Sequence, residues 1–133
     1  MERILLAYDG GEPAQKALEL TARLARQFGA SVMVVSVVPV HPGRAPIDPW
    51  DDRETHRAEL LEADATLRRL GIEPELIESA GDPAKTIERI AAEREVDAVI
   101  VGARGLGVVG RVLQGSVSEH VATHAPTTVI VAR

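Results

Sequence analysis

Short apolar runs that alternate with helical periodicities leave this chain few folds to adopt. Ile4 to Tyr8, Val32 to Val38 and Ala98 to Val101 are each apolar on both faces, with only Ser36 breaking the second, and Thr128 to Val131 reads as the last strand. Runs of this length without a polar side are strands buried on both faces, as in a parallel sheet covered by helices. A fifth strand, Glu75 to Glu78, carries charge on either side of Leu76 and Ile77, which suits a sheet edge.

The intervening segments read as helices. Pro13 suits a first turn, Ala14, Ala17, Leu18, Thr21, Leu24, Ala25 and Phe28 recur at helical spacing, and Gly29 stops the pattern. From Asp51 to Leu70 one side is strongly charged and the other carries Leu60, Ala63, Leu67 and Leu70, with Gly71 as terminator. Asp82 and Pro83 form an N-cap and first-turn pair ahead of Ala84, Ile87 and Ala91. Ser116 and Glu119 have capping-box spacing for a last, short helix. Pro39 to Trp50 holds four of the eight prolines and must be a surface loop. Cutting the chain there would leave one helix and two strands, too little to bury their own apolar faces, so residues 1–133 are expected to form one domain.

The order β-α-β-α-β-α-β-α-β predicts a single-domain α/β fold: an open, twisted, five-stranded parallel sheet with helices on both faces and right-handed crossovers. Composition agrees. Apolar residues make up 45% of the chain and aromatics 2%, so the core is built from Val, Leu, Ile and Ala. In such sheets a ligand sits beyond the carboxyl ends of the strands, where strand order reverses. For the order 3-2-1-4-5 that point lies between strands one and four, which end at Asp9 and Gly102.

Charge and composition exclude several functions. A net charge of -5 with scattered Lys and Arg gathers no polyanion, so nucleic acid is not an expected partner. The absence of cysteine removes disulfides, thiolate metal sites and cysteine nucleophiles. No apolar run approaches the roughly 20 residues of a membrane span, and the first strand begins almost at Met1, which leaves no room for a signal peptide. A cytoplasmic protein with no membrane partner is the expectation.

Five of the eleven glycines fall between Gly102 and Gly115. Two readings are open to such a cluster. Its glycines can serve only as turns in a long βα connection, or they can let backbone N–H groups approach an anion ahead of a helix N-terminus. The segment runs from the end of a buried strand to a helix start, the context an anion site needs. It is not a P-loop, because no Gly-Lys-Ser/Thr occurs and the only lysines are Lys16 and Lys85. Nor is it a dinucleotide fingerprint, which belongs on the first strand-to-helix turn, where this chain has Asp9-Gly10-Gly11.

The spaced motif Gly102-x2-Gly105-x9-Gly115-Ser116, followed by Val117-Ser118-Glu119 and by His124-Ala125-Pro126 before the last strand, resembles the ATP-binding universal stress proteins. The resemblance runs the length of the chain, from Ile4-Leu5-Leu6-Ala7-Tyr8-Asp9-Gly10 to Val129-Ile130-Val131. It implies that Asp9 holds the ribose hydroxyls and that Val37 meets the adenine. Gly102, Arg104 and Gly105 would line one side of the phosphates, and Gly115, Ser116, Val117 and Ser118 the other. One departure is Gly11, which stands where the family often has Ser and weakens the cap of the first helix. ATP is the implied ligand, with Mg or Mn held mostly by phosphates and water. The implied function is regulatory or stress-responsive. No obvious general base or phosphate-facing lysine is present, so hydrolysis is expected to be slow or absent, at most that of a weak ATPase.

A nucleotide-independent dimeric interaction module of the same fold is the alternative. In either case the run Val129-Ile130-Val131, if it forms an edge strand, needs a cover. Two-fold pairing with a second copy supplies one, and the resemblance also implies a homodimer through this C-terminal strand. Other enzymes fit less well. ATP pyrophosphatases carry a Ser-Gly-Gly type loop after strand one. Response-regulator receivers need an aspartate after strand three and a lysine after strand five, where this chain has Glu78-Ser79 and Arg133. Arg104 and Arg111 can neutralise phosphate or simply be solvated. His120 and His124 stand four apart on the last helix, the spacing of two metal ligands on one face, with no third ligand evident in the sequence. His41 and His56 carry no signal.

Overall fold

The computed structural model describes residues 1–40, 53–103 and 116–133, with Ser116 described by its backbone alone. The order along the chain is β1 (Arg3–Ala7), α1 (Glu12–Phe28), β2 (Ser31–Pro39), α2 (Arg53–Arg69), β3 (Glu75–Gly81), α3 (Pro83–Glu93), β4 (Ala98–Gly102), α4 (Ser116–His124) and β5 (Thr128–Ala132). The strands form one sheet, all parallel, in the expected order β3-β2-β1-β4-β5. Beyond Val40, the proline-rich stretch to Trp50 lies outside the described residues.

The strands are apolar on both sides because each side meets different helices. Successive residues of a strand point to opposite faces. Ile4, Leu6, Val32, Val34 and Ile100 therefore pack with Ala14, Ala17 and Leu18 of α1 and Leu60, Ala63 and Leu67 of α2. Leu5, Met33, Val35, Val99 and Val101 pack on the other face with Ile87, Ile90 and Ala91 of α3 and Val121 of α4. Central strand β1 buries Ile4, Leu5 and Leu6 completely, and each such side chain contributes roughly 1.5–3 kcal/mol relative to exposure.

Local signals account for the element ends. Asp82 caps α3, its Oδ2 accepting from the Lys85 N–H at 3.0 Å, with Pro83 next in line. Gly11 stands at the N-cap of α1 and supplies no side-chain bond. At the other end of the sheet Asp97 Oδ2 accepts from the N–H groups of Glu2 (2.6 Å) and Arg3 (2.9 Å), pinning the start of β1 beside β4. Those backbone donors hold its carboxyl below the ordinary aspartate range.

Two side chains expected on buried helix faces are exposed. Phe28 is 55% exposed and Leu70 37%. Phe28 is the last residue of α1, and the chain turns away at left-handed Gly29 before any sheet surface covers that final turn. Leu70 follows the last residue of α2 and belongs to the turn at Gly71. Helical periodicity identifies a face, whereas coverage of its last turn depends on where the sheet stops.

Candidate functional site

Strands β1 and β4 are neighbours, so their carboxyl ends open side by side at the reversal of strand order. The first turn of α1 lies against the end of β4. A Cβ built on Gly102 would stand 2.8 Å from the Pro13 carbonyl carbon and 2.9 Å from the Ala14 nitrogen, so only glycine permits this contact. Gly10 has φ +79°, and a Cβ there would run into the Glu59 carboxylate of α2. The left-handed turn at Gly10 and the missing side chain at Gly102 let α2 and α1 close in over the strand ends.

The resulting pocket is lined on its apolar side by Val35, Val37, Ile87, Val101 and Val117 and on its polar side by Asp9 and His56, with Gly102 at the junction. Of the residues expected from sequence, Asp9, Val37, Gly102 and Val117 meet here. Arg104, Gly105 and Gly115 lie outside the described residues, and Ser116 opens α4. The Ser118 hydroxyl donates to the Ala103 carbonyl at 2.9 Å, tying α4 to the end of β4.

Asp9 is the polar centre of the site. Its Oδ1 accepts from the Gly11 N–H at 3.1 Å. Its Oδ2 is shut off from solvent and has no hydrogen-bond partner among the described residues. Burial raises its pKa to about 6, against the opposing pull of the backbone N–H groups of Gly11 and of Asp9 itself. A carboxylate in this position has a lone pair ready for a donor from a ligand.

Behind it stands an acidic layer that sequence reasoning missed. Glu59 is raised to about 8, first by burial and then by the charges of Asp9 and Glu62. Its Oε1 lies 3.6 Å from His56 Nδ1, and that nitrogen is 2.8 Å from the buried Ser36 hydroxyl. Tyr8 donates to Glu62 Oε1 at 3.1 Å, and Gln15 Nε2 donates to the same oxygen at 2.8 Å. Burial, followed by the Glu62 charge, pushes the Tyr8 hydroxyl above its ordinary range. One signal did exist for His56. It lies one turn before Leu60, and with Ala63 and Leu67 it completes the buried stripe of α2.

A family model described as the universal stress protein family matches residues 1–133. A universal stress protein of Thermus aquaticus is 33% identical, over 98% of this chain and 97% of its own length. Among solved structures, the universal stress protein UspA from Lactobacillus plantarum is 30% identical with a TM-score of 0.76, covering 99% of this chain and 97% of that one. The universal stress protein from Archaeoglobus fulgidus in complex with dAMP is 25% identical with a TM-score of 0.77, covering 100% and 98%. Among the described residues, no helix is long and apolar enough to cross a membrane.

Proposed function

This chain belongs to the universal stress protein family, and on that premise we propose that its pocket binds an adenine nucleotide, ATP with Mg or Mn, as the input of a regulatory or stress-response protein. The unpartnered, buried Oδ2 of Asp9 carries the reading. Leaving a carboxylate acceptor unmatched in a water-poor site costs free energy, and a ribose hydroxyl is a donor of the right kind. Val35 and Val37 offer an apolar wall to the adenine ring. The phosphates would extend toward the Gly102–Ser118 segment, where Arg104, Gly105, Gly115 and Ser116 would supply backbone donors and charge. The dAMP complex of the Archaeoglobus fulgidus relative supports a nucleotide as the ligand class.

Binding, with hydrolysis slow or absent, is the activity this reading assigns. Occupancy then biases conformation or partner choice by its differential affinity for two states. The reading includes a homodimer through β5, an edge strand whose Val129, Ile130 and Val131 are partly exposed.

The test is the melting temperature with and without millimolar Mg-ATP, after removal of any co-purified nucleotide, for the wild type and Gly115→Asp. Ligand at about 100 times Kd stabilises by about 2.7 kcal/mol, so a rise of several degrees is expected in the wild type and none in the variant. No rise in the wild type rejects the nucleotide reading in favour of a nucleotide-independent dimeric module.

A further inference from the structure

Glu88 of α3 and His120 and His124 of α4 each place a potential metal ligand within 4.8 Å of the other two. None of the three is among the described residues that line the pocket. His120 Nδ1 is 2.6 Å from Glu88 Oε2, a contact spanning 32 positions of sequence that supplies the third ligand the sequence did not reveal. His124 Nδ1 donates to the His120 carbonyl at 3.0 Å, so in the neutral ring Nε2 carries the lone pair. The two imidazoles are stacked, with centroids 4.1 Å apart and planes 21° from parallel. Glu88 and His120 are half-buried and His124 is exposed, so the cluster is anchored on one side and open to solvent on the other.

We infer that Glu88, His120 and His124 form a binding site for a borderline transition-metal ion of the Zn(II) class, separate from any ion that accompanies a nucleotide. A two-histidine, one-carboxylate donor set matches zinc, whose bonds to nitrogen and carboxylate oxygen are about 2.0–2.2 Å. Tetrahedral ligands at that radius stand about 3.3 Å apart, so the donors must close in and the stacked rings must turn apart to aim their lone pairs at one ion. The metal takes the place of the proton that links His120 Nδ1 to Glu88, and the neutral ring carries its proton on Nε2 instead, exchanged through solvent with no net loss. Water fills the remaining position. Nitrogen ligands disfavour Mg(II) and Ca(II), which take oxygen. Because α3 carries Ile87 and α4 carries Val117, both in the pocket wall, the ion joins two elements that shape the nucleotide site.

The site is tested on the untagged full chain without nucleotide, by calorimetric titration with zinc chloride and with magnesium chloride as control. The expected result is one saturable zinc per chain, no magnesium binding, and joint shifts of the His120 and His124 ring signals in NMR spectra. His124→Ala, an exposed position, and Glu88→Gln should each weaken zinc by at least about 10-fold, whereas His41→Ala should not. Absence of saturable zinc binding, or binding unchanged in His124→Ala, would overturn the assignment.

Discussion

Replacing Asp9 by Asn separates what this carboxylate does for the fold from what it does for a ligand. Burial raises its pKa from 3.8 to about 6, and roughly 2 units at 1.36 kcal/mol each is about 3 kcal/mol. The native form holds the proton more tightly than the unfolded chain does. Its contribution to stability is therefore complete below about pH 4, declines as pH rises through about pH 6, and is level above that. Asn keeps the shape and abolishes the titration, although its amide still needs partners. The quantity to read is thus the difference between wild type and Asp9→Asn across pH. In urea denaturation without ligand, the variant should gain about 3 kcal/mol relative to wild type between pH 4 and pH 8. Release of Glu59 from the Asp9 charge acts in the same direction. The variant should also bind Mg-ATP about 10- to 100-fold more weakly, the loss of one hydrogen bond to a charged acceptor of about 1.5–3 kcal/mol. A wild-type stability that is flat or rising from pH 4 to pH 7, tracked in parallel by Asp9→Asn, would refute the buried-carboxylate account.

Other outcomes follow from the packing. Gly102→Ala forces a Cβ into the backbone of Pro13 and Ala14; it should cost about 1–3 kcal/mol by overpacking, seen as a lower urea midpoint with an unchanged slope. Asp82→Ala removes the cap on the Lys85 N–H and should cost about 1 kcal/mol, readable as a fall of a few degrees in melting temperature with Mg-ATP binding retained. Ile130→Lys places a charge on the β5 edge, and light scattering at micromolar concentration should report a dimer for the wild type and a monomer for the variant; a wild-type monomer would sink the dimer.

The elements and their order were legible because they rest on local physics. Ile4 to Ala7, Val32 to Val38 and Ala98 to Val101 are apolar on both faces whatever surrounds them, and Asp82-Pro83 caps a helix wherever it stands. Strand order 3-2-1-4-5 then made Asp9 and Gly102 neighbours, which is how two residues 93 positions apart entered one candidate site. Gly105 and Gly115 were legible as a spaced motif and lie outside the described residues.

Only the tertiary structure decided what faces those residues. Glu59 and Glu62 belong to a strongly charged stretch of sequence until α2 settles over the end of β1, where burial and the neighbouring Asp9 alter the character of Glu59. Glu88 meets His120 only because α3 and α4 share one face of the sheet. Phe28 has the helical spacing of a core residue, yet no sheet reaches it. Periodicity and capping act within a few residues and survive in the sequence alone. Desolvation and side-chain encounter depend on which segments a crossover brings together, and that is set by the fold as a whole.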